Sequence, residues 1–160
     1  MGSLTISLGG LSLTIDKFVG DRQIRQRLAP VTLDRTAYGT LVVPGTSYEL
    51  PHQWQGKAIL NPAQFETWRL IWALADYNQR TSGTGYRLTI DDTTRPFEEV
   101  GNQSREKVLG TNVTMSDGLT IYFARFRGVF ATSEPEYTDH GNQVEVDFTI
   151  WEDGIFAFVA

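Results

Sequence analysis

The stretch WQGKAILNPAQFETWRLIWALADYNQ, residues 54–79, decides how the rest of the chain is read. Its first seven residues are an extended run that stops at Asn61-Pro62. Beyond that point Phe65, Trp68, Trp72 and Ala75 recur at helical spacing, with Ile71 beside them. Asn61 is a good N-cap because its side-chain oxygen accepts a first-turn N–H. Pro62 suits the first helical position, where no N–H is needed. Gln64 stands three residues after the cap, in the capping-box place. No Gly or Pro intervenes before Gly83, so the spacing predicts one helix over about residues 61–79. Trp68 and Trp72 share its main apolar stripe and are expected to be largely buried against a sheet. Leu70, Leu74 and Tyr77 form a second stripe. A helix apolar around that much of its circumference is either sandwiched inside the domain or shared with a neighbouring subunit.

The surroundings read as β. Leu4, Ile6 and Leu8 alternate with polar residues up to Gly9-Gly10, and Leu11, Leu13 and Ile15 resume the alternation. Two period-2 runs around a Gly-Gly loop make a hairpin with all six apolar side chains on one face. Residues 16–50 read as strands flanking a polar loop, with a short run at Leu41–Val43 that stops at Pro44-Gly45. After the Ser82–Gly85 loop, Tyr86, Leu88 and Ile90 alternate again. Residues 91–107 are polar and are expected to form a long exposed excursion. Val108–Met115 and Leu119–Val129 flank Ser116-Asp117-Gly118 as a second hairpin. Val144, Val146, Phe148 and Ile150 alternate with Glu145, Asp147 and Thr149, giving a closing strand with one core face and one acidic face. The apolar stretch Ile155–Val159 reads as a last edge strand. The expected architecture is mainly β: one domain over residues 1–160, a β-barrel or β-sandwich of about eight strands with one inserted helix.

Composition narrows the function. The chain has 160 residues, with 14 Lys+Arg against 19 Asp+Glu, a net charge of -5, two His and no Cys. An acidic chain is poorly suited to gripping nucleic-acid phosphates or anionic lipid. Without Cys there are no disulfides and no thiol catalysis, and two His do not make a His-rich metal site. No apolar run is long enough for a membrane-spanning helix, and the N-terminus does not read as a secretory signal.

Each candidate for chemistry has a plainer reading. Asp91-Asp92 followed by Thr93 and Thr94 has the residue types of a carboxylate site, but the spacing matches no calcium loop and a solvated turn suffices. His52 and His140 stand in turn-like contexts. Ser133, Asp139 and His140 lack the strained strand–turn–helix that holds a nucleophile. Gly83 and Gly85 follow a helix and open a strand, the reverse of a phosphate-binding loop. Trp54 and Trp151 are candidate sugar platforms. The arginines at 22, 25, 27 and 35 sit among aspartates and read as partners of salt bridges, within the chain or between subunits. No catalytic, cofactor-binding or metal-ligating residue is assigned.

The order of elements, an N-terminal hairpin, further strands, the helix opening at Asn61-Pro62-Ala63-Gln64-Phe65, another hairpin and an amphipathic closing strand, resembles the tube fold of bacteriophage tails. That fold is shared by tail-tube, distal-tail and baseplate-hub proteins. The segments WQGKAILNPAQFETWRLIWAL and VEVDFTIWED resemble their strand-then-helix step and closing strand. The resemblance implies a structural, non-enzymatic virion protein made in the host cytoplasm. It would assemble with itself into a ring, six-fold or in hub-like members three-fold, beside other tail and baseplate proteins. DNA would meet it only in transit. Expected inter-subunit contacts are Leu70, Leu74 and Tyr77 of the helix, Ile155, Phe156 and Phe158 of the tail, and the N-terminal hairpin. Glu145 and Asp147 are expected to line the lumen or to form an ordinary solvated face. The excursion at 91–107 is longer than a minimal tube protein needs. The alternative function is a carbohydrate-binding β-sandwich module used in host attachment.

Overall fold

The structure, a computed structural model, describes residues 2–20, 23–27, 34–35, 37–39, 41–42, 52–81, 85–99, 105–114, 116–118, 120–130 and 134–153. The first hairpin pairs β1 (Leu4–Leu8) with β2 (Leu11–Ile15) around Gly9-Gly10, with Leu8 opposite Leu11 and Ile6 opposite Leu13, the register expected of a two-residue loop. Gly9 has φ +59°, which a residue with a side chain rarely adopts. The following elements are β3 (Arg25–Arg27), β4 (Asp34–Arg35), β5 (Leu41–Val42), β6 (His52–Leu60), α1 (Pro62–Thr81), β7 (Leu88–Glu99), β8 (Glu106–Thr114), β9 (Thr120–Phe130), β10 (Tyr137–Asp139) and β11 (Val144–Glu152). Among the described residues, strands β4 and β5 pair with each other and the other nine form one antiparallel sheet.

Along that sheet the order is β2-β1-β7-β9-β11-β6-β3, with β8 and β10 added on β9 and β11. The sheet is not closed into a barrel, nor is it a sandwich of two comparable sheets. Its two ends approach each other through the chain that leaves β2. Val19 N donates to Lys57 O, Ile59 N donates to Lys17 O, and a single bridge joins Phe18 to Ala58. One bridge does not make a ladder. The open side is filled instead by α1, which packs on β2 and β1 from one end of the sheet and on β6 from the other.

Helix α1 starts where the sequence places it. Gln64 N donates to Asn61 Oδ1 (2.8 Å) and Asn61 N donates to Gln64 Oε1 (3.0 Å), a complete capping box. Trp68, Ile71 and Ala75 are buried, and Trp68 meets the rings of Phe130 and Phe148 edge-on. Trp72 departs from expectation: it is half-buried, because it lies on the edge of the stripe and forms part of a groove wall.

The described residues of 91–107 do not form the exposed excursion expected there. Residues 88–99 are one strand, β7, paired with β9 and interrupted by a register shift between Asp92 and Phe97. Asp92, Phe97 and Arg105 are buried. The stretch reads as polar because its inward charges are compensated by partners far away in sequence. Residues 100–104 lie outside the described residues.

Candidate functional site

Alternation places polar side chains inside the sheet at one end of the core. His52 is in phase with Trp54 on β6, Asp92 with Leu88 and Ile90 on β7, and Glu152 with Ile150 on β11. Arg25 of β3 lies opposite Trp54 in register. All four are buried, as is Arg105.

They form two linked clusters. Asp92 Oδ2 accepts Arg25 Nη1 (2.9 Å) and Trp54 Nε1 (3.0 Å), while its Oδ1 accepts the Thr94 N–H (2.8 Å) and the Thr94 hydroxyl. Arg25 Nη2 also donates to the carbonyls of Arg95 and Pro96. In the second cluster Glu152 Oε1 accepts the His52 backbone N–H at 3.0 Å and lies 3.0 Å from His52 Nδ1, while Arg105 grips both carboxylate oxygens at 2.7 and 3.0 Å. The rings of Phe97 and Phe126 join the clusters: Arg25 lies 5.1 Å from the Phe126 centroid and Arg105 5.4 Å from that of Phe97. Burial would push the Glu152 carboxyl up. The hydrogen bonds from His52 and Arg105, with the Arg105 charge, outweigh it and hold the group down at about 2. Each buried carboxylate faces a guanidinium, so charge is matched locally, and the arrangement ties β3, β6, β7, β11 and the chain entering β8 together.

Asp92 is not in a solvated turn but at the centre of the first cluster, and neighbouring Asp91 takes a two-pronged bond from Arg125 (2.6 and 2.9 Å), which raises the Arg125 pKa. His52 is on a strand, not in a turn. His140 is exposed, with its Nε2 3.8 Å from Glu145. Asp139 Oδ1 accepts the Gly141 N–H of its own turn, and Ser133 lies outside the described residues. Trp54 is fully buried and is no sugar platform; Trp151 is 47% exposed. Among the described residues no group of His, Asp and Glu has a metal-binding arrangement.

For the candidate interface, Leu70 is 52% and Tyr77 58% exposed, whereas Leu74 is half-buried over Gly9 of the hairpin. Beside Leu70 a groove of about 400 Å³ opens between α1 and the chain leading into β10. Phe65, Trp68 and Trp72 form its helical wall, Pro135 and Tyr137 the other, with Arg69, Glu66 and Glu134 at the rim. Ile155, Phe156 and Phe158 lie outside the described residues. Glu145 and Asp147 stand on the outer face of β11, and Lys57 of β6 reaches between them, at 3.9 and 3.8 Å. That face is therefore less acidic than β11 alone suggests. No family model, no curated protein and no solved structure matches this chain.

Proposed function

We propose that this chain is a structural subunit of a bacteriophage tail, in the tube or the distal-tail and baseplate region, and that copies join head to tail into a ring around a DNA channel. One observation carries the reading: α1 keeps an apolar flank, Leu70 and Tyr77 with the Phe65–Trp72 groove, that the chain's own sheet leaves uncovered. Contiguous apolar surface of this kind marks a contact with another molecule. A heterologous interface, in which this flank meets a different surface of the next copy, closes into a ring. The mainly β build with one packed helix agrees with the tube resemblance, which implies six copies, or three in a hub-like member. Glu145 and Asp147 then face the lumen, where carboxylates and a tethered Lys57 do not trap passing DNA. Among the described residues no helix is long and apolar enough to cross a membrane.

The test is cryo-EM of the particle that encodes the chain, with Leu70→Asp/Tyr77→Asp protein as the control. The expected result is a ring of this chain in the tail, and a double variant that keeps the wild-type circular dichroism and melting temperature but fails to enter it. Absence of the chain from the tail, or copies that touch no other copy, overturns the proposal. Glu145 and Asp147 on the outer circumference overturn the lumen assignment alone.

A further inference from the structure

The outer face of β6, β11 and β3 carries an unusual concentration of amides. Four of the chain's eight glutamines, Gln23, Gln26, Gln53 and Gln55, meet there. Trp151 lies opposite Gln53 in register and Thr149 opposite Gln55. Trp151 Nε1 donates to Gln53 Oε1 (3.0 Å), and Gln53 Nε2 donates to Gln55 Oε1 (3.0 Å), a relay that fixes the edge of the exposed indole and orients two amides. Next to this strip a notch of about 420 Å³ lies beside β6, with Val19 and Gln23 among its lining residues. Its floor is Ile24, Gly56 and the Phe148 side chain; its walls include Gln23, Gln26 and Gln55.

The chemistry selects the ligand. A glutamine amide offers both donors and an acceptor in one plane, which suits adjacent hydroxyl groups. An apolar floor and an aromatic flank suit the C–H faces of a pyranose ring, and sites of this mixed kind bind small ligands. An anion finds little here, since Lys57, the one cation among the described residues that line the notch, is already flanked by Asp147 and Glu145. An added peptide strand meets an edge of β6 that is already engaged on both sides of the notch, because Gln55 N donates to Ile24 O and Lys57 O accepts Val19 N. We propose that the Gly56 notch and the adjoining Gln53–Gln55–Trp151 strip form a binding site for a neutral oligosaccharide. The site is distinct from the α1 flank, so assembly through that flank does not decide it, but it shares the outer face of β11 with Asp147 and Lys57, and sugar binding there would displace the lumen assignment of that face.

The experiment is a ¹H–¹⁵N NMR titration of the full chain with maltohexaose, cellohexaose and chitohexaose at millimolar concentration, with heparin-derived hexasaccharide as the charged control. The expected result is that at least one neutral probe shifts the Trp151 indole and the Gln53 and Gln55 side-chain amide signals. Trp151→Ala and Gln55→Ala should each weaken that probe by roughly tenfold, and Trp72→Ala should not. Two variants are used so that misfolding of one leaves the other to decide. Three results overturn the proposal: no shift at these signals with any neutral probe, shifts that survive both variants, or a response to the charged probe alone.

Discussion

Asp92 receives the indole N–H of Trp54 at 3.0 Å on the same oxygen that takes the Arg25 guanidinium, so a fully buried carboxylate holds three strands, β3, β6 and β7, in register. Such a pair is expensive to break from one side and cheap to replace whole. Arg25→Met or Asp92→Leu alone leaves an uncompensated buried charge, and each should cost about 3–5 kcal/mol. The double variant should cost clearly less than the sum. Urea unfolding of the four proteins gives the coupling, and strict additivity would show that the pair is not linked as described.

The two tryptophans of α1 should separate in the same assay. Trp68 is 2% exposed between Phe130 and Phe148, so Trp68→Ala should cost about 3–5 kcal/mol. Trp72 is half-buried on a groove wall, and Trp72→Ala should cost only about 1 kcal/mol. Equal losses would place Trp72 in the core after all.

That difference illustrates what the sequence makes legible. Helical spacing put Phe65, Trp68 and Trp72 on one stripe, but spacing alone does not say where the stripe ends; β9 does, by presenting Phe130 to Trp68. Local signals worked where partners are near in sequence: the Gly9-Gly10 hairpin and the Asn61–Gln64 cap. They failed for closure of the sheet, which depends on how the chain after β2 meets β6 some forty residues later. The buried charges were missed for a related reason. Asp92, His52 and Glu152 each continue an inward period-2 series begun by an apolar neighbour, and that phase was the available signal. The polarity of Asp92 and the setting of His52 suggested turns because Arg25 and Arg105, which make burial tolerable, are distant in sequence.

Two strand glycines should respond differently to an added methyl group. A Cβ on Gly128 of β9 would lie 2.7 Å from Ile90 Cδ1, 2.9 Å from Ile150 Cγ2 and 3.1 Å from the Trp151 carbonyl oxygen. The crowding comes from two core side chains and backbone, so Gly128→Ala should cost about 1–3 kcal/mol. At Gly56 the close atom is the free end of one side chain, Ile24 Cδ1 at 2.8 Å, which can turn away. Gly56→Ala should therefore be the milder change in a thermal melt, and the reverse order would contradict the packing at β9.

Acid stability should report on Glu152. Its carboxyl is held at about 2 in the folded chain, against 4.5 for an unperturbed group. A lowered carboxyl pKa stabilises the fold at pH values above the unfolded value, and that contribution is lost as pH falls through the folded one. The window is therefore pH 4.5 down to about 2, and the contribution is at most about 3 kcal/mol above it. Glu152→Gln keeps the shape but removes the charge that faces Arg105, so the variant should be less stable at pH 7 and should lose less of its stability than the wild type across that window. Unfolding midpoints in urea at pH 7, 5, 4, 3 and 2 for both proteins provide the measurement. Parallel curves for wild type and variant would mean that Glu152 is not held by His52 and Arg105 in the way the geometry requires.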